Sequence, residues 1–173
     1  ENFGFSRYAE RLGRSANSFD ELYATLQQNP TYIDEVLFTI LKEKFEKIQP
    51  NLFLISVPFP GNLYSAFRSA QWVKKHYPKV KISMGGGFPN TELRSLSDKR
   101  VFEFFDFITL DDGELPVELV IDAVTSSEVE KQFKRTFLLE NGKVIYKNNS
   151  TKPDYKQSQV GTPDYSDLLL DNY

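Results

Sequence analysis

The stretch Leu52-Phe53-Leu54-Ile55-Ser56-Val57, followed by Pro58-Phe59-Pro60-Gly61-Asn62, decides the fold class of this chain. A short apolar run that stops at a loop of prolines and glycine is typical of a buried strand. Two more runs end in the same manner: Val80–Met84 at Gly85-Gly86-Gly87, and Phe107–Leu110 at Asp111-Asp112-Gly113-Glu114. Because helical patterns separate the runs, we predict three parallel strands of an α/β sheet.

The first 50 residues carry helical patterns. Ser18-Phe19-Asp20-Glu21 has the form of a capping box and predicts a helix that extends to about Gln28. Thr31 is expected to cap a second helix, in which apolar residues recur every three or four positions as far as Ile48. Residues 1–50 are therefore predicted to form a helical N-terminal segment.

Residues 51–125 are predicted to form the α/β core. One amphipathic helix is expected over Leu63–Tyr77, with Asn62 as its N-cap, and it would cross between the first two strands. Another helix is expected to begin near Pro116 and to extend to about Val124, since proline is favoured in the first turn of a helix. Strands that alternate with helices in this way indicate βαβ units.

A β-hairpin is predicted within residues 126–150. Thr136–Glu140 and Lys143–Lys147 flank Asn141-Gly142, the strongest short signal for a two-residue turn, because both turn residues tolerate positive φ. The sequence from residue 151 to residue 173 is mostly polar and is expected to be an extended linker.

Composition excludes several classes of function. The 173 residues are 40% hydrophobic, enough for one domain with a core, and the net charge of -3 gives no general attraction to nucleic acid or to anionic membranes. Cysteine is absent, which excludes disulfides, thiolate nucleophiles and an iron–sulfur cluster held by this segment. No apolar stretch approaches the roughly 20 residues of a membrane span. We expect a soluble, cytoplasmic protein.

The candidate site lies where the three strands end. Ligands of parallel α/β sheets bind outside the carboxyl ends of the strands, so Ser56, Gly86 and Asp112 are expected around one cleft. Glycine triplets allow a backbone to approach a bulky ligand, and their position at this edge favours that role over the alternative, a tight exit from the strand. No Gly-Lys-Ser/Thr follows the triplet and the spacing is not Gly-x-Gly-x-x-Gly, so nucleoside triphosphates and NAD are not expected ligands.

The polar residues near these loops also have structural interpretations. Asp111, Asp112 and Glu114 could hold a divalent metal or supply a general base, but acidic residues before a helix also stabilise its N-terminus. His76, the single histidine, falls in the last turn of its predicted helix, where it would interact with the helix dipole. One histidine without cysteine provides neither a catalytic triad nor a transition-metal cage, so we predict binding rather than catalysis and assign no metal ligands.

The strand-end motifs resemble the cobalamin-binding domain that precedes the catalytic barrel in many radical SAM proteins. The resemblance extends from about Ile48 to Val124 and rests on Ile55–Asn62, Met84–Phe88 and Phe105–Pro116. Thr162–Asp171 is similar to the connector just upstream of the barrel, which implies that residues 151–173 join this domain to a barrel in a longer parent chain.

The resemblance implies a Rossmann-like (flavodoxin-like) parallel sheet that holds the cobalamin tail. The implied cobalamin contacts are Ser56, Val57, Pro58, Gly61, Asn62, Gly85, Gly86, Gly87, Asp111, Asp112, Gly113 and Glu114. The family also has two earlier strands, whereas Glu1–Asn51 has only helical patterns, so the first strands are expected to be missing and the sheet to have an uncovered flank beside Leu52–Val57.

The resemblance implies that the residues for the parent protein's reaction lie outside this segment. The motif Asp-x-His-x-x-Gly, which supplies an axial histidine to cobalt in other cobalamin domains, is absent, and so is the barrel motif Cys-x-x-x-Cys-x-x-Cys. S-adenosylmethionine and an iron–sulfur cluster would thus belong to the barrel, which is the implied partner. The alternative is a flavodoxin-like regulatory or protein-interaction module without a corrinoid. A phospho-receiver would use Asp111-Asp112, but no later strand offers a well-placed lysine.

Overall fold

The structure, a computed structural model, describes residues 19–126, 131–162 and 165–166. Ser18 of the predicted capping box, and most of the expected connector Thr162–Asp171, lie outside these residues. Five strands form one sheet in the order β1-β2-β3-β4-β5. Their bounds are β1 Leu52–Ser56, β2 Lys81–Gly85, β3 Phe107–Thr109, β4 Thr136–Glu140 and β5 Lys143–Lys147.

The first three strands are parallel, as predicted. Ser56 of β1 pairs with Gly85 of β2, and Met84 of β2 pairs with Ile108 of β3. The predicted hairpin is present with the predicted bounds, and Asn141 and Gly142 adopt φ values of 50° and 73°. Its first strand, β4, pairs antiparallel with β3, so the hairpin extends the same sheet. The sequence had predicted the hairpin but not this attachment.

Helices cover both faces of the sheet. Their bounds are α1 Phe19–Leu26, α2 Tyr32–Ile48, α3 Leu63–His76, α4 Gly87–Glu92 and α5 Glu114–Thr125, with 3-10 turns at Pro60–Asn62, Lys99–Glu103 and Gln157–Gln159. Phe53 and Ile55 of β1 pack into the larger core with α1, α2 and α3, whereas Leu52 packs into a smaller core with Val120 of α5. This alternation follows from the two-residue period of a strand.

Of the two predicted helix N-caps, Thr31 and Asn62, the structure confirms the first and not the second. Thr31 caps α2: its Oγ1 accepts a hydrogen bond from the Asp34 N–H at 3.3 Å, and the Thr31 N–H donates to Asp34 Oδ2 at 2.8 Å. Asn62 does not cap α3, and this prediction was wrong. The turn Pro60–Asn62 already has helical backbone geometry, so Asn62 lacks the extended conformation in which a side chain reaches back to the helix.

A buried arginine ties the first three helices together. Arg68 of α3 is 2% exposed and donates hydrogen bonds to the carbonyl oxygens of Thr25, Leu26 and Gln28 at 2.8 to 3.1 Å, which satisfies the C-terminus of α1. Its Nε lies 3.6 Å from the buried carboxylate of Asp34, the residue that completes the cap of α2. One side chain therefore fixes α1 and α2 onto α3.

The outer edge of β1 has no strand partner among the described residues, and residues 19–49 contribute helices rather than strands. Leu54, in the middle of β1, is 44% exposed. Ile33, Val36 and Ile40 of α2 are also exposed although they continue the apolar side of that helix. The predicted uncovered flank is therefore present in the described part of the chain.

Candidate functional site

Hydrogen bonds join the three strand-end loops at one edge of the sheet. The Val57 N–H donates to the Gly85 carbonyl at 2.8 Å, and the Phe88 N–H donates to the Val57 carbonyl at 2.9 Å. The third loop is linked through α4, because the Asp111 N–H donates to Asn90 Oδ1 at 2.6 Å. The glycine triplet therefore lies on the same edge of the sheet as Ser56, as we predicted from the parallel strands.

Gly86 and Gly87 are needed because the first loop packs against them. Gly86 has φ 102° and ψ -171°, and a Cβ there would lie 2.8 Å from the Val57 N and 2.9 Å from the Ser56 Oγ. A Cβ on Gly87 would lie 2.7 Å from the Pro58 carbonyl oxygen. The space beside these glycines thus contains protein backbone, and the close approach that the sequence predicted is an approach between two loops of this chain.

Side chains of the first loop differ in exposure. Ser56, Pro58 and Asn62 are exposed, Gly61 is partly buried, and the Val57 side chain is completely buried. Ser56 and Asn62 thus present polar groups to solvent, whereas Val57 contributes to the core. Nearby, Phe59 is 69% exposed, a large apolar side chain that the sequence-based site did not include.

The third loop places carboxylates at the end of β3. Asp111, Asp112, Gly113 and Glu114 are all exposed, and Asp111 adopts the left-handed region with φ 59°. Its carboxylate accepts a hydrogen bond from Arg94. Within the described part of the chain, no three His, Cys, Asp or Glu side chains form a group that could hold a metal ion.

Arg135, just before β4, lies next to this loop. Its side chain is 14% exposed, and its Nη2 donates to the Asp112 carbonyl oxygen at 3.3 Å. Two further hydrogen bonds, at 2.9 and 2.6 Å, reach the carboxylate of Asp154. These bonds raise the pKa of Arg135 and lower the pKa of Asp154.

Asn90, Arg94 and Arg135 were missed by the sequence reasoning. Asn90 is three residues beyond the glycine triplet, where an amide that caps a neighbouring loop could have been considered. Arg135 is 24 positions after Asp111 in the sequence, and only the pairing of β4 with β3 brings the two residues together. No local pattern could have identified that neighbour.

His76 is not part of this edge. α3 begins after the carboxyl end of β1 and returns toward the start of β2, so its last turn lies at the opposite edge of the sheet. There the His76 Nδ1 lies 2.8 Å from the Trp72 carbonyl oxygen, and the two rings have centroids 4.6 Å apart. Both contacts are internal to the helix, in agreement with the structural interpretation of this histidine.

The strand-end edge is thus a polar surface with one exposed aromatic ring. It offers the hydroxyl of Ser56, the amide of Asn62 and a carboxylate loop stabilised by arginines. Such groups can bind a ligand through hydrogen bonds.

Of the helices in the described ranges, none has the length and apolar character to cross a membrane. Comparisons with protein-family models, with curated proteins and with solved structures gave no match to this chain.

Proposed function

We propose that this chain is the cobalamin-binding part of a radical SAM protein, and that it holds a corrinoid against a catalytic barrel. One observation carries the proposal: the three motifs on which the resemblance rests lie on one edge of the sheet and are joined by hydrogen bonds at Val57, Phe88 and Asp111. A ligand above this edge would contact all three loops.

The strand order supports a Rossmann-like sheet within this proposal. Flavodoxin-like sheets have the order 2-1-3-4-5, with the ligand at the switch point between strands 1 and 3. The parallel strands β1, β2 and β3 follow one another in sequence order, as do the last three strands of that arrangement. The earlier strands of such a sheet would pair with the open edge of β1.

The exposed groups of the edge fit a corrinoid better than the glycines do. The amide side chains of a corrin ring need hydrogen-bond partners, which Ser56, Asn62 and the 111–114 loop can provide, and the Phe59 ring adds apolar contact. In contrast, the inner surfaces of Gly86 and Gly87 already contact the first loop. The exposed residues would therefore hold the group, which supplies cobalt chemistry when bound, while this chain positions it.

The packing of the glycines specifically favours a second candidate, a flavodoxin-like regulatory or interaction module that binds no corrinoid. Internal packing explains why Gly86 and Gly87 are glycines without any ligand. The two candidates differ in whether the exposed polar groups of the edge bind a corrinoid.

A binding experiment tests the proposal. Aquacobalamin is added to this chain and, in parallel, to the longer parent protein, and the visible spectrum of the protein fraction is recorded after gel filtration. We expect the parent protein to retain the corrinoid, with a visible spectrum that shows no histidine ligand. His76→Gln should leave this spectrum unchanged. Asp112→Trp should reduce retention, whereas Lys143→Trp, which alters an exposed residue of the hairpin, should not. A parent that retains no corrinoid would favour the ligand-free module.

A further inference from the structure

Arg135 joins the acidic loop of the candidate site to the C-terminal arm, which we define as residues 148–156. Its guanidinium binds the Asp154 carboxylate of the arm through Nη1 and Nη2 and also donates to the Asp112 carbonyl oxygen of the loop. Its Nε is buried, lies 3.7 Å from Asp111 Oδ2, and has no hydrogen-bond partner among the described residues. One largely buried cation therefore contacts two segments that are far apart in the sequence.

The backbone of Arg135 is held by the same two segments. Its N–H donates to Asn148 Oδ1 of the arm at 3.3 Å, and its carbonyl oxygen accepts from the Leu110 N–H, just before the loop, at 3.0 Å. The residue has φ 45°, a left-handed conformation that is unfavourable for a non-glycine residue and persists where surrounding contacts enforce it. Release of either segment would therefore remove contacts that maintain this conformation.

The arm has other anchors that do not touch the loop. Glu118 of α5 accepts hydrogen bonds from Lys152 Nζ at 2.9 Å and from the Tyr155 hydroxyl. These contacts fasten the arm to the side of α5. They provide a control, because their loss weakens the attachment of the arm without changing any partner of Arg135.

We propose that Arg135 is a positioning residue that couples the arm to the conformation of the 111–114 loop. If Asp154 were neutral or displaced, the largely buried guanidinium would keep one carboxylate partner, Asp111, whose Oδ2 lies 3.7 Å from Nε. Asp111, which also accepts a hydrogen bond from Arg94, would then move toward Arg135, because a largely buried cation without a close carboxylate is more costly than the loss of an exposed ion pair. The ion pair between Asp154 of the arm and Arg135 would thus set the arrangement of carboxylates at the candidate site, with or without a corrinoid.

Site-resolved hydrogen exchange tests this coupling in the full chain. The Asp111 amide, bonded to Asn90, and the Leu110 amide, bonded to Arg135, are followed by NMR in wild type, Asp154→Asn and Glu118→Gln. We expect Asp154→Asn to accelerate exchange of both amides about tenfold, a typical size for coupling between sites. Glu118→Gln should accelerate exchange in the arm and leave both amides within about twofold of wild type.

Global unfolding is measured on the same samples by urea titration, so that a general loss of stability is separated from a local change in the loop. Because Asp154 is 43% exposed, Asp154→Asn should fold. Faster exchange of the Asp111 amide in Asp154→Asn, but not in Glu118→Gln, supports the coupling. Equal effects of the two substitutions at Asp111, or faster exchange confined to the arm, would overturn it. No corrinoid is needed, so this result is independent of the outcome of the cobalamin experiment.

Discussion

Replacement of Gly86 by alanine should destabilise the fold, whatever the ligand. Its backbone angles, φ 102° and ψ -171°, lie in a region used almost only by glycine, and a side chain there costs about 1–3 kcal/mol in strain. The new Cβ would also lie 2.8 Å from the Val57 N and 2.9 Å from the Val57 O. Backbone atoms cannot rotate away as a flexible side chain can, so overpacking adds about 1–3 kcal/mol.

Together these effects predict a loss of about 2–6 kcal/mol for Gly86→Ala. For a chain of this size, each kcal/mol lost lowers the melting temperature by about 2–4 °C, so the melting temperature should fall by at least about 4 °C. Urea unfolding followed by circular dichroism gives the free energy, and a thermal melt provides an independent check. A larger residue at Gly86 would therefore lower the stability of the fold, so reduced ligand binding by such a variant would not by itself place Gly86 in a ligand site.

Gly113→Ala is the matched control, because Gly113 belongs to the same candidate site. It has φ -78° and ψ -19°, and a Cβ there would meet nothing within 4 Å. Alanine is compatible with this conformation, so stability should change by about 1 kcal/mol or less. Equal stability of Gly86→Ala and Gly113→Ala would refute the conclusion that the first loop fills the space beside the glycine triplet.

Three further predictions concern the rest of the fold. Burial alone raises the pKa of Asp106, but hydrogen bonds from Lys74, the Ile82 N–H and Lys81 outweigh it and lower the pKa below its usual value. The Asp106 carboxylate therefore stabilises the fold fully above its unfolded pKa of about 3.9, and this stabilisation is lost as the pH falls through the lower folded pKa. In urea titrations, the free energy of unfolding should fall more between pH 6 and pH 3 for wild type than for Asp106→Asn. Arg68→Met should lower the unfolding free energy by about 3–5 kcal/mol, since it leaves the Asp34 charge and the α1 carbonyls without this partner; a loss below about 1 kcal/mol in urea unfolding would contradict the role of that network. The unpaired edge of β1 and the exposed Leu54 predict that copies of this chain associate through this edge, which sedimentation velocity over a range of concentrations measures. Leu54→Lys should reduce that association, and a wild-type chain that stays monomeric, or association unchanged by Leu54→Lys, would contradict the prediction.

Local sequence determined the elements themselves. The Thr31 cap predicted where α2 begins, and the turn at Asn141-Gly142 predicted where the hairpin folds. Both could be predicted because their hydrogen bonds and backbone angles involve only neighbouring residues. Short apolar runs similarly predicted three parallel strands to within about one residue. Two local expectations were wrong. Asn62 does not cap α3 because Pro60–Asn62 forms a 3-10 turn before the helix, and the helix α4, which begins at Gly87, was not predicted because its first residue belongs to a glycine triplet.

Only the tertiary structure decided which residues surround the candidate site. Sequence identified Gly86 as unusual, but the neighbour that requires glycine, Val57, comes from another strand end. Arg135 reaches Asp111 because β4 pairs antiparallel with β3, and no periodicity encodes that pairing. The physical reason is one of range: caps and turns are satisfied within a few residues, whereas strand pairing depends on the free energy of the whole packed sheet.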